Sequence, residues 1–69
     1  MKMDSVDSSF IKEIGWENER LRVIFYDGIT FDYLNVTEDA YKEFKNASSV
    51  GSHFHRKIKN AYHAIKKVN

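Results

Sequence analysis

The residues best equipped for chemistry crowd the end of the chain. The stretch GSHFHRKIKNAYHAIKKVN, Gly51 to Asn69, holds all three histidines and five of the eleven lysines and arginines, without one acid. Metal binding from a helix needs ligands three or four residues apart, so that both reach one ion. His53 and His55 are two apart, and His55 and His63 sit about 80° apart in azimuth on a helix. The chain has no cysteine, so thiolate zinc and disulfides are excluded, and neither a metal nor a cofactor is expected. Nucleophilic catalysis needs a serine, a base and an orienting group. Ser48, Ser49 and Ser52 lie near His53 and His55, but serine ahead of a helix has a plainer use: its oxygen satisfies free N–H groups. The acid pairs Glu17 with Glu19 and Glu38 with Asp39 fall in a turn and at a helix start, where water keeps carboxylates ordinary. No catalytic residue is assigned, and the chain reads as non-enzymatic.

Polyanion binding fits the stretch better. Phe54, Ile58, Ala61, Tyr62, Ile65 and Val68 follow helical spacing and would form one core-facing stripe. On such a helix Arg56, Lys59, His63, Lys66 and Lys67 fall roughly 120° to 220° away from Phe54. A solvated face usually mixes signs. A face of one sign suits phosphates, whose counterions are released on contact. Asn60 can add a hydrogen bond. The preceding SSVGS could hold a phosphate on free N–H groups, but a serine cap with Gly51 allowing close packing is the favoured reading.

The elements that must carry these residues follow from periodicity. The first seven residues are polar and expected to fray, leaving one domain over residues 8–69. In FIKEIGW, Phe10, Ile14 and Trp16 suit one strand face. ENE makes a turn, then Leu21, Val23 and Phe25 alternate, as do Ile29, Phe31 and Tyr33. A two-residue Asp27-Gly28 loop would set these two apolar rows on opposite faces. A three-residue Tyr26-Asp27-Gly28 loop pairs Phe25 with Ile29, Val23 with Phe31 and Leu21 with Tyr33, uniting them, with Gly28 at a left-handed bulge position. Thr37 caps a helix opened by Glu38 and Asp39, with Ala40, Tyr41, Phe44 and Ala47 as its stripe. A second helix runs to about Val68. The expected fold is α+β: a three-stranded antiparallel meander followed by two helices packed on one sheet face. That leaves Arg20, Arg22, Ile24, Tyr26, Thr30, Asp32 and Leu34 on the other face.

Sixty-nine residues make one domain at most, with aromatics (five Phe, four Tyr, one Trp) standing in for staples in a small core. The net charge of +1 hides a polarity. Residues 1–41 carry four bases against nine acids, and residues 42–69 carry seven bases against Glu43 alone. Such a domain can dock on a polyanion by one end. No apolar run reaches signal-peptide or bilayer-spanning length, so no membrane is expected and a cytoplasmic location is.

SSFIKEIGW, LRVIFYDG, FDY, the NV that leads into a helix, and ASSVGSHFHRKIK together resemble the KTSC domain, a short module named for its occurrence at the C-terminus of some lysyl-tRNA synthetases and also found alone in bacterial and phage proteins. The likeness runs from Ser8 to Tyr62. Phe31 stands where that family's Tyr-x-Tyr has its first tyrosine, Thr37 where proline usually opens the helix, and His53 where an aromatic is usual. The resemblance implies no established enzyme chemistry, and RNA binding by association with the synthetase. The expectation is a small binding module, with nucleic acid, RNA foremost, held by Arg56, Lys59, His63, Lys66 and Lys67. The alternative is a protein-interaction module of phage or mobile-element type that uses the sheet's outer face.

Overall fold

The computed structural model describes residues 1–67. Five strands form one antiparallel sheet in the order β1 (Met3–Ser5), β2 (Ile11–Glu17), β3 (Arg20–Phe25), β4 (Thr30–Leu34), β5 (Ala64–Lys67). Between β4 and β5 come α1 (Glu38–Lys45) and a shorter helix, α2 (Val50–His53), that widens directly into a π-helical turn, Phe54–Ile58. The α+β class stands, and the strand count is corrected from three to five. The two additional strands flank the expected meander.

The β3–β4 hairpin has the register that burial demands. Leu21 pairs with Tyr33 and Val23 with Phe31. Gly28 donates to the Phe25 carbonyl at 2.9 Å, Phe25 donates to the Ile29 carbonyl at 3.0 Å, and Gly28 sits at φ 88°. The β2–β3 turn differs: Asn18 and Glu19 both have positive φ, 50° and 62°, the geometry of a two-residue type I′ turn. β2 carries one extra residue between Ile11 and Glu13. That bulge returns Ile11 to the face of Ile14, so Ile11 joins the core where strict alternation from Phe10 would have excluded it.

The core lies between one sheet face and both helices: Ile11, Ile14, Leu21, Val23 and Tyr33 from the sheet, Val36 after it, and Phe44, Val50, Phe54 and Ile58 from the helical layer. Thr37 caps α1 by accepting from the Ala40 amide at 3.1 Å, and Phe44 is that helix's buried anchor. Trp16 stacks on Tyr41 with ring centroids 6.3 Å apart, and its Nε1 donates to the Val36 carbonyl at 2.7 Å. Ser49 caps α2 by accepting from the Ser52 amide at 3.3 Å. A Cβ on Gly51 would come within 2.9 Å of the Phe10 ring, so Gly51 allows the close approach of helix and ring.

The second helix does not run to Val68. Phe54 and Ile58 are buried as expected, but the helical hydrogen bonds end at Lys59, whose amide donates to the Phe54 carbonyl at 2.8 Å. The chain then returns to the free edge of β4. There Asp32 lies opposite Ile65 and Phe31 opposite Lys66. Left alone, β4 would present an unpaired row of N–H and C=O groups, and satisfying that row outweighs the helical spacing of Ala61, Tyr62 and Ile65. Ile65, assigned to a core-facing stripe, is 41% exposed. Val68, the last residue of that stripe, lies outside the described residues. At the other edge, residues expected to fray include β1, which pairs Met3 with Gly15. A side chain at Gly15 would strike the Met3 side chain and the Lys2 carbonyl, so glycine is what lets this segment close onto β2.

Candidate nucleic-acid interface

Because the second helix ends early, the five cationic residues read from the sequence do not share a helix face. Arg56 is exposed on the π-helical turn, where its Nε donates to the Ser52 carbonyl at 3.4 Å. Lys59 is exposed just beyond that turn. His63 precedes β5, and its carbonyl accepts from the Leu34 amide at 2.9 Å. Lys66 and Lys67 are neighbours on a strand, so they leave opposite faces of the sheet. Lys66 pairs with Phe31 and shares its face, the helix side. Lys67 pairs with Thr30 and belongs to the outer face.

What the structure does assemble on the helix side is a row of rings. Phe10, just before β2, Phe25 on β3 and Phe31 on β4 stand side by side, with centroids 6.3 Å apart for the first pair and 6.2 Å for the second. Lys66 follows on β5. His55 closes the other end, 5.2 Å from Phe10. Phe54 presses on the row from the helical layer, 6.1 Å from Phe10 and 5.5 Å from Phe25. The three row phenylalanines are nonetheless only half-buried, whereas Tyr33 on the same face is core. Ile29, 37% exposed, and Tyr26, 61% exposed, border them at the hairpin end. Sequence reading put Phe31 wholly inward; its place beside the hairpin end, where the helical layer stops, leaves it partly open.

The histidines diverge. His53 is buried with its ring 5.5 Å from Phe44, while His55 is exposed against Phe10. Burial, the largest influence, holds the His53 imidazole below its ordinary range; Glu43 pulls the other way, and the charges of Arg56 and Lys57 reinforce the lowering. A buried neutral imidazole stacked on a core ring is a packing residue.

The outer face carries Arg20, Arg22, Ile24, Thr30, Asp32 and Leu34, as the hairpin register requires. Its centre is ionic. Asp32 is fully buried there although no helix covers it. Arg22 donates from Nε to Oδ1 at 2.9 Å and from Nη2 to Oδ2 at 3.1 Å, and Arg20 donates from Nη1 to Oδ2 at 3.2 Å. Burial acts to raise the Asp32 carboxyl, but the hydrogen bonds and charge of Arg22, then Lys67 and Arg20, prevail and hold it below the usual carboxylate range. The sequence places these residues on one face, and the hairpin register sets Arg22 opposite Asp32 with Arg20 two residues away on the same strand.

The arrangement of meander, capped helix, serine-capped second helix and close-packed Gly51 matches a known domain. The family model of the KTSC domain matches residues 7–62. This chain belongs to the KTSC domain family. It is 34% identical to the KTSC domain protein of Yersinia pestis, whose crystal structure superposes with a TM-score of 0.90 over 97% of this chain and 97% of that one. None of the curated proteins matches. In this KTSC domain the rings of Phe31 and Tyr33 lie 6.3 Å apart. No helix among the described residues is long and apolar enough to cross a membrane.

Proposed function

We propose that this KTSC domain is a non-enzymatic module that binds single-stranded nucleic acid, RNA foremost. The observation that carries the reading is the half-open row Phe10, Phe25 and Phe31, bounded by His55 at one end and Lys66 at the other. Bases stack on aromatic faces regardless of sequence, and flanking cations meet the phosphates. Arg56 and Lys59 extend the cationic border along the helical turn next to His55. This replaces the helix-face geometry by a cross-strand one that keeps Arg56, Lys59 and Lys66 on the phosphate side. Two serines of the hollow that His55 lines serve as backbone caps: Ser49 Oγ accepts from the Ser52 amide, and Ser8 Oγ accepts from the amides of Phe10 and Ile11.

The test is a titration of short mixed-sequence single-stranded RNA into isotope-labelled protein at low salt. Amides of Phe10, Phe31, His55 and Lys66 are expected to shift, and added salt reverses the shifts. Absence of any shift at those positions at low salt rejects the reading.

A further inference from the structure

Beyond that interface, the opposite face of the sheet holds a second cationic site of different shape. Arg22, Ile24, Gly28, Thr30 and Lys67 line a hollow of about 430 Å³. Lys67 enters it from β5, Thr30 from β4 and Arg22 from β3, three strands side by side. Arg22 does not swing freely: two of its nitrogens are fixed on Asp32, and among the described residues Nη1 makes no hydrogen bond. A guanidinium locked by a buried carboxylate presents its remaining donors without first losing side-chain freedom on binding.

The lining defines the ligand. Among the described residues two cations, Arg22 and Lys67, line the hollow and no carboxylate does; the charge of Asp32 is shared between Arg22 and Arg20. Glu17 does not line this hollow; it lines a neighbouring one with Met1, Asn18, Arg20 and Arg22, from which its charge still acts on Arg22. A carboxylate ligand would balance one of the two charges. A phosphate monoester carries close to two at neutral pH, with three acceptor oxygens that match an arginine, a lysine and a hydroxyl. Ile24 supplies an apolar floor for the ester's carbon side.

We infer that the outer-face hollow bounded by Arg22, Thr30 and Lys67 binds a phosphate monoester dianion. The site takes a terminal phosphate, in contrast to the helix-side row, which takes bases and the diester backbone. Terminal phosphate has two sources, a free phosphorylated small molecule and the 5′ end of an RNA strand.

The experiment titrates sodium phosphate into isotope-labelled protein at pH 7.5, with ionic strength held by sodium chloride. The Arg22, Thr30 and Lys67 amides are expected to shift saturably, and Lys67→Gln to weaken binding at least about tenfold. Lys57→Gln, which removes a cation from the helical layer, leaves binding unchanged. Linear drift shared with chloride, or equal weakening by both variants, overturns the proposal. A 5′-phosphorylated and a 5′-hydroxyl RNA of one sequence then separate the sources. Outer-face shifts with the phosphorylated strand alone identify the strand end; shifts with phosphate but with neither strand identify the small molecule. Loss of RNA shifts at Phe10 and Phe31 while phosphate still moves Thr30 and Lys67 rejects the single-strand reading and leaves this site standing.

Discussion

Arg22 grips Asp32 through two parallel hydrogen bonds, 2.9 and 3.1 Å long, on the face of the sheet that no helix covers. The two residues are direct cross-strand partners, so the pair ties β3 to β4 independently of the apolar core. Arg20 adds a single bond from a side chain that is 46% exposed, against 27% for Arg22. Removing Arg22 therefore leaves a buried carboxylate with one long, mobile partner. Arg22→Met is expected to cost about 2–3 kcal/mol and Arg20→Met less than about 1 kcal/mol by urea unfolding. The double change Arg22→Met with Asp32→Leu should recover most of the loss, because no stranded charge remains.

The same pair predicts acid behaviour. The Asp32 carboxyl is held below its ordinary value of 3.8 in the folded chain, so its contribution is complete above that value and is lost as pH falls through the folded one. In Asp32→Asn the decline of stability below about pH 4 should be shallower than in the parent, measured as unfolding midpoint against pH.

His53 governs a different window with its own sign. Burial lowers its folded value from 6.5, so the unfolded chain takes up a proton first. Stability is full above about pH 6.5 and falls as pH drops from there toward the lowered folded value. His53→Phe, which keeps a ring against Phe44, should remove the decline that sets in below about pH 6.5 in thermal unfolding scans while leaving the neutral-pH midpoint within a few degrees.

The two hairpins respond oppositely to glycine. Gly28 occupies φ 88°, so Gly28→Ala should destabilise by about 1 kcal/mol. Glu19 occupies φ 62° in a turn that favours glycine at that place, so Glu19→Gly should stabilise by about 0.5–1 kcal/mol. Chemical denaturation of both variants against the parent gives the two signs directly.

The nucleic-acid reading predicts separable effects along its interface. Lys66→Glu should weaken RNA binding across sequences and lower the slope of log affinity against log salt by about 1. Phe31→Leu keeps most of the buried volume yet loses the ring, and should weaken binding by about 1 kcal/mol with the salt slope unchanged. Fluorescence anisotropy over a salt series measures both.

Much of this was readable wherever local rules and burial agree. The β3–β4 register followed from the need to unite Leu21, Val23, Phe31 and Tyr33, and the start of α1 followed from Thr37; α2 instead begins at Val50, inside the SSVGS stretch read as the loop before the helix. The final strand was hidden because Ala61, Tyr62, Ile65 and Val68 imitate helical spacing, and Ala64 and Lys66 are poor strand formers. Only the unpaired edge of β4 makes a strand there, and that need is invisible until the sheet exists. β1 was hidden for the same reason: its three residues gain their place from β2 and Gly15. The interface shifted accordingly. Its cations were legible as a group, but their division between two faces depended on knowing that residues 64–67 alternate.

The five residues from Lys59 to His63 join the π-helical turn to β5, and their number fixes the phase of everything after them. One residue more or fewer would exchange the directions of Lys66 and Lys67, moving a lysine from phenylalanine to threonine surroundings and leaving the overall composition untouched. The length of that short connector thus acts as a distributor of positive potential between the two sides of the domain, independently of which amino acids compose it.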